Sequence, residues 1–452
     1  MSKLKPVYAF EEANSKNRML LGGKGAGLSE MTHLKLSVPP GFTITTHICN
    51  QYYENGRKLP KNVIPEVRRN ITKMEKKTGK KWNSENNPLL VSVRSGAAIS
   101  MPGMMDTILN LGLNDQTVLG LAKETGNPRF TWDSYRRFIQ LFGKVVFGVI
   151  DKKFDEVLDA AKKKQNVTDD SKLSIGSLKK IVTEYKKICE NHTKRKFPTN
   201  PNEQLQLAIE AVFKSWMGER AIVYREKNNI TKNIANGTAV NVVTMVFGNM
   251  GDDSATGVVF TRNGHNGKKE IEGEYLLNAQ GEDVVAGVRT GMDISRLKTD
   301  MPKSYKELIN ACSKLEKHFR EPQDIEFTIE QGKFYLLQTR TAKMSAAALI
   351  KTSVDMVKEK LIDKNKALIR IPPQQLEALL HRTIDQNKIK EYKQLTKGIA
   401  ASPGAASGIV VFDVKKAIAM GDDNTKVILI RKETKPEDVP AFFSSEGILT
   451  SQ

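Results

Sequence analysis

The sequence predicts a mixed α/β (α+β) protein with a helical insert, and three stretches of its 452 residues carry that expectation. Residues 1 to about 110 alternate short apolar runs with Gly/Pro turns, as in "SVPPGFTITT" and "PLLVSVRSG". Residues 115 to about 225 space their apolar side chains three and four apart, as in "SYRRFIQLFGKVVFGV", the period of a helix face. From about 238 to 343 the pattern returns to strands.

The first element of interest is "LLGGKGAGLSEM", residues 20–31. Its glycines at 22, 23, 25 and 27 fit neither a Walker A loop nor the dinucleotide GxGxxG spacing. The physics still suits phosphate. Glycines let the backbone approach an anion, "GLSEM" can begin a helix whose N-terminal N–H groups favour negative charge, and Lys24 adds a point charge. Taken alone, a glycine-rich turn with an exposed lysine fits equally well.

The next is "VSVRSGAAISMPGMMDTIL", residues 91–109. Arg94 is expected at the end of a buried strand, "LLVSV", presenting a planar five-donor fork at the strand mouth. Ser95, Gly96, Ala97 and Ala98 then leave room for a polyphosphate. The competing reading makes Arg94 half of a structural salt bridge and "MPGMMDTIL" a turn followed by a helix whose methionines fill the core.

Two hairpins are expected further on. "AVNVVTMVF" and "TGVVFTRN" flank the turn-rich "GNMGDDSA". "QDIEFTIEQGKFYLLQTR" (323–340) forms the second, with Asp324, Glu326 and Thr328 on one face and Ile325, Phe327 and Ile329 on the other. A two-residue turn at Gln331 and Gly332 would set Glu326 opposite Leu337 and separate the polar faces. A three-residue loop, Glu330 to Gly332, would set Asp324 opposite Gln338 and gather carboxylates, an amide and Arg340, the ligand types that Mg²⁺ and a nucleotide tail require. The expectation is the three-residue loop. A Lys-rich helical stretch then leads from 344 to the Gly/Ser/Pro boundary "GIAASPGAASGIVVF".

Composition narrows the classes. The net charge is +20, yet the basic residues are scattered along amphipathic stretches without aromatic interleaving, which argues against a nucleic-acid partner. Mean hydropathy is −0.41, and no apolar run approaches a membrane span. "MSKLKPVYAFEEA" lacks the apolar core of a signal peptide, so a cytoplasmic location is expected, and Cys49, Cys189 and Cys312, too far apart for a CxxC site, are expected to be buried or incidental thiols.

The segments "GGKGAGLSEM", "VPPGFTITT", "VSVRSGAAISMPGMMDTILNLGLN", "LLNAQGEDVVAGVRT" and "DIEFTIEQGKFYLLQTR" together closely resemble the nucleotide-binding region of the pyruvate, phosphate dikinase family. "GIAASPGAASGIVVFD" resembles the start of that family's swivelling phosphohistidine domain. The resemblance implies an ATP-grasp-like nucleotide-binding domain over 1–343 with a helical subdomain at about 115–225, a helical linker over 344–395, and an incomplete swivelling domain over 396–452. It also implies the conversion of ATP, orthophosphate and pyruvate to AMP, pyrophosphate and phosphoenolpyruvate.

By the same resemblance Lys24, Arg94 and Arg340 hold the ATP phosphates and stabilise charge in transfer, and Glu326 and Gln338 sit at the nucleotide and its Mg²⁺. Asp324 and Glu282 are further nucleotide-side candidates. The sequence stops before the Gly-Gly-x-Thr-x-His segment of the family, and His381 matches the linker instead. The expectation is therefore a chain that binds ATP and lacks the acceptor histidine and the pyruvate barrel. Family members homo-oligomerise. Two alternatives stand beside this reading: a phosphoenolpyruvate synthase-type dikinase, disfavoured by "SGAAISMPGMM", and a non-catalytic basic binding protein.

Overall fold

The structure is a computed structural model that describes residues 4–285, 290–373, 375–376, 393–399, 401–402 and 404–451. His381 and much of the expected linker lie outside the described residues. The chain divides into two compact units, Met1–Ser254 with Thr328–Arg340, and Ala255–Phe327 with Thr341–Gln452.

In the first unit a five-stranded sheet runs β1-β2-β5-β3-β4, from β1 (Val7–Ala9), β2 (Gly41–Ile44), β3 (Val91–Ala97), β4 (Thr107–Leu111) and β5 (Thr238–Thr244). Every neighbouring pair is antiparallel. The β-branched run "TAVNVVT" makes β5 the centre, and all seven of its residues are buried. Helix α1 (Arg18–His33) packs against β3 and β5. It is interrupted at Gly22, whose φ of 68° and ψ of 163° are open only to glycine, so a fresh helical start follows at Gly23.

Helices α2 (Thr46–Glu54) and α3 (Val63–Thr78) follow, and then the helical insert: α4 (Thr117–Thr125), α5 (Pro128–Phe147), α6 (Lys152–Gln165), α7 (Ile175–Thr193), α8 (Pro201–Ser215) and α9 (Glu219–Lys227). The periodicity over 115–225 thus has its counterpart. Its longest helix, α5, starts with Asn127 accepting from the Phe130 N–H and Pro128 in the first turn, and ends at left-handed Gly148. Buried within it, Asp133 binds Arg136 at 2.6 Å and Arg137 at 3.1 Å.

A second five-stranded sheet is ordered β10-β9-β6-β7-β8, from β6 (Ala255–Phe260), β7 (Glu272–Leu277), β8 (Met292–Asp293), β9 (Gln323–Glu330) and β10 (Lys333–Thr341). Fully buried Arg262 sits just beyond β6. It donates to Glu316 of the helix Pro302–Phe319 at 2.7 Å and to Glu359 at 2.8 Å. A three-stranded parallel sheet closes the described chain: β11 (Ile409–Val411), β12 (Val427–Arg431) and β13 (Gly447–Thr450).

The structure corrects two expectations here. The segments around "GNMGDDSA" do not form a hairpin, because β5 takes β2 and β3 as neighbours while β6 pairs with β7. A strand with both faces buried gains most at the centre of a sheet, which overrides the short connection. Arg94 lies at the middle of β3 rather than at its end, since Gly96 and Ala97 continue the ladder opposite Ala239 and Thr238. The three cysteines are buried free thiols, and burial pushes each up to about 12.

Candidate functional site

The first unit brings three remote segments onto the glycine-rich turn. A Cβ at Gly22 would lie 1.8 Å from the Gly96 carbonyl oxygen, so α1 and β3 touch backbone to backbone. A Cβ at Gly96 would lie 3.3 Å from the Lys24 Cβ and 2.8 Å from Asn241 Nδ2. One turn further along α1, a Cβ at Gly27 would meet the Thr339 carbonyl oxygen at 3.2 Å, between Gln338 and Arg340 on β10. The adjoining stretch of β10 is tied down by the Leu336 N–H donating to Ser37 O at 2.8 Å.

Register decides which side chains share this place. Arg94 stands directly opposite Asn241 on β5 and Thr107 on β4, and Asn241 stands opposite Thr43 on β2. Directly opposed residues of an antiparallel sheet project to the same face. That face is the one α1 covers, because a Cβ at Gly25 would lie 2.7 Å from Asn241 Oδ1 and 2.8 Å from Thr43 Oγ1. Lys24, in the first turn after the break at Gly22, and half-buried Arg94 therefore lie on one side of the sheet.

Thr43 Oγ1 donates to Asn241 Oδ1 at 2.8 Å in full burial, fixing the amide beneath the glycines. Sequence reasoning missed this pair. The available signal was a lone Asn inside the β-branched run "AVNVVT". Met101 and Met104 are buried, as the core-filler reading expected, but the turn of "MPGMMDTIL" leads into strand β4 and not into the helix expected with it.

The expected three-residue hairpin loop is absent. Gln331 (φ 48°) and Gly332 (φ 72°) are both left-handed and form a two-residue turn between β9 and β10, the backbone twist that short hairpins favour. That register alone would set Ala342 opposite Glu321. Instead the Ala342 N–H donates to Pro322 O at 2.9 Å, and β10 has nine residues against eight in β9. One surplus residue, a bulge in β10, therefore shifts the pairing away from the turn. The burial alternation of β10 breaks at Gln338 and Thr339, both buried.

On β9 both faces are largely covered rather than one polar and one apolar: Asp324 and Thr328 are buried, and Glu326 is half-buried. Glu282 belongs to the short helix Gly281–Val285, and its side chain lies outside the described residues. Among the described residues no cluster of three or more His, Cys, Asp or Glu is arranged for a metal ion, and no helix is long and apolar enough to cross a membrane.

The family model "Pyruvate phosphate dikinase, AMP/ATP-binding domain" matches residues 18–63, 57–303 and 293–361. The chain is 53% identical over 446 residues to a pyruvate, phosphate dikinase of Entamoeba histolytica, covering 98% of this chain and 50% of that protein. It is 50% identical to the enzyme of that name from Clostridium symbiosum, covering 98% and 51%, and 48% identical to the chloroplastic enzyme 1 of Arabidopsis thaliana, covering 99% and 47%. The chain thus spans about half the length of the curated relatives it matches.

Proposed function

The chain belongs to the pyruvate phosphate dikinase AMP/ATP-binding domain family, and from that premise we propose that it binds Mg·ATP at the glycine-rich turn and aligns the phosphates for transfer. The observation that carries the proposal is the convergence of residues 22–27, Gly96 and Thr339 within the first unit. The helical start that follows the break at Gly22 is the kind of terminus whose dipole favours an anion. Lys24 supplies a point charge and Arg94 a fork that can take two phosphate oxygens at once. Arg340 adds the third cation.

Glu326 and Gln338 are assigned to Mg²⁺. A carboxylate and an amide oxygen suit a hard cation that takes its remaining ligands from phosphate and water. When bound, the ion neutralises charge on the phosphate chain. Asp324 and Glu282 are assigned to the nucleotide side of the same reading. The reaction served is that of the family: ATP, phosphate and pyruvate to AMP, pyrophosphate and phosphoenolpyruvate, with ATP and phosphate as the substrates for this part. Buried free thiols suit a reducing compartment, and the cytoplasm is proposed.

Isothermal titration with Mg·ATP tests the proposal. Arg94→Ala is expected to weaken binding at least tenfold, about 1.4 kcal/mol, while leaving the melting temperature nearly unchanged. An unaltered chain that gives no heat and no thermal shift with millimolar Mg·ATP overturns it. Loss of cooperative folding in Arg94→Ala with affinity retained would make Arg94 a structural residue.

A further inference from the structure

We propose that Arg220 is a positioning residue that latches the loop between β3 and β4 against the glycine-rich turn; the inference rests on the nucleotide-binding reading above. The loop runs from Ala98 to Asp106, and among the described bonds its own contribution is one turn, the Met104 N–H donating to the Met101 carbonyl oxygen at 3.2 Å. Ser100, Pro102 and Gly103 are exposed, Gly103 is left-handed at φ 71°, and the two buried anchors are methionines, which adapt to many packings.

The order is imposed from outside. Arg220, on α9, donates through Nη1 to the Gly103 carbonyl oxygen at 3.2 Å and through Nη2 to Asp106 Oδ1 at 3.2 Å. One planar group thus holds two points of the loop, a geometry that lysine cannot reproduce. Burial pushes the Asp106 carboxyl up, and Arg220 counters it by favouring the charged form. The Asp106 backbone is held as well: its N–H reaches Ser215 Oγ at 3.5 Å, and its carbonyl oxygen accepts from the Ser95 N–H at 3.4 Å.

Both ends of the latched loop touch the proposed site. At the start, the carbonyl oxygens of Ala97 and Ala98 lie 3.4 and 3.3 Å from a Cβ placed at Gly23, beside Lys24. At the finish, Asp106 precedes Thr107, the cross-strand partner of Arg94. The bonds described for Arg220 go to the loop. Arg220 acts by fixing the distance between the glycine-rich turn and the strand that carries Arg94.

Hydrogen exchange over residues 98–106, together with Mg·ATP titration, tests this on the full chain. Arg220→Ala is expected to speed exchange in the loop at least tenfold and to weaken Mg·ATP by a similar factor, with exchange elsewhere unchanged. Arg220→Lys, which keeps charge but loses the fork, falls between. Asp106→Asn keeps the shape of the partner and removes its charge; it is expected to loosen the loop likewise, and it decides the matter where Arg220→Ala does not fold. A loosened loop with unaltered ATP affinity overturns the positioning role while the nucleotide reading stands. Unchanged loop exchange overturns the latch. An unaltered chain that binds no Mg·ATP removes both.

Discussion

The central strand of the first sheet and the edge strands of the parallel sheet are built from similar residues, yet their surroundings differ. All seven residues of β5, "TAVNVVT", are buried between β2 and β3, and helices α1, α2 and α8 pack against the strand. In β11, "IVV", Ile409 and Val410 are 56% and 50% exposed, and on β13 Ile448 and Leu449 are 41% and 37% exposed. β-branched runs specify a strand in both places. What they do not specify is the cover, which is a property of the helices that arrive from elsewhere. Parallel sheets usually need cover on both faces, so the second case carries apolar surface that the first has removed from water.

The largest expected break of this contrast is Gly22→Ala. In the covered sheet, α1 reaches β3 through glycine backbone, and the new Cβ would sit 1.8 Å from the Gly96 oxygen at a φ/ψ closed to alanine. Neither partner is a flexible side chain that can give way. We expect a loss of about 4 kcal/mol or more, from strain plus lost packing, with Mg·ATP binding abolished. Urea unfolding and titration check it; a change under about 1 kcal/mol would mean that the helix is not seated there.

A smaller break tests the helical insert that accompanies the covered sheet. Asp133 is buried; burial pushes its carboxyl up, but the Arg136 and Arg137 guanidiniums overcome this and hold it well below the usual carboxylate range. A depressed folded pKa contributes stability that is present above the unfolded value of 3.8 and is lost as pH falls below it. Asp133→Asn leaves two arginines, one of them buried, without that charge and is expected to cost about 3 kcal/mol at neutral pH. Its melting temperature should also fall less than that of the unaltered chain as pH drops from 5 to about 2, as linkage requires. Equal acid sensitivity of both chains would show that Asp133 is not the titrating group.

The same contrast explains what could be read from the sequence. The helical insert was legible because a period near 3.6 is local, and α4 to α9 fill the stretch that it marked. Strands β2 and β3 were legible from their apolar runs. The pairing of β5 and β6 was not, because partner choice depends on segments far away in sequence, and the short "GNMGDDSA" connection suggested the wrong neighbours. The hairpin turn failed for a finer reason: Gln331 accepts a left-handed backbone, and the surplus residue sits inside β10 rather than in the turn. Of the site, Lys24 and Arg94 drew notice by charge beside glycine, but only the register through Asn241 and Thr43 puts them on one face.

The smallest expected effect comes from the exposed side of the parallel sheet, and it separates exposure from lack of structure. Phe412, just past β11, is 67% exposed, so Phe412→Ser removes little buried area and should leave stability within about 0.5 kcal/mol. Leu429, on the central strand β12, is fully buried with Val411, Ala417, Val427 and Ala441. Leu429→Ala should therefore cost about 2 to 3 kcal/mol, through lost transfer energy and the cavity left behind. The two changes are near neighbours in one small sheet, yet their costs should differ severalfold, as read by urea unfolding followed through tryptic resistance of residues 404–451. Equal costs for both would mean that this sheet has no inner side of its own, and the comparison with the covered sheet would then be one between a folded layer and an unpacked one.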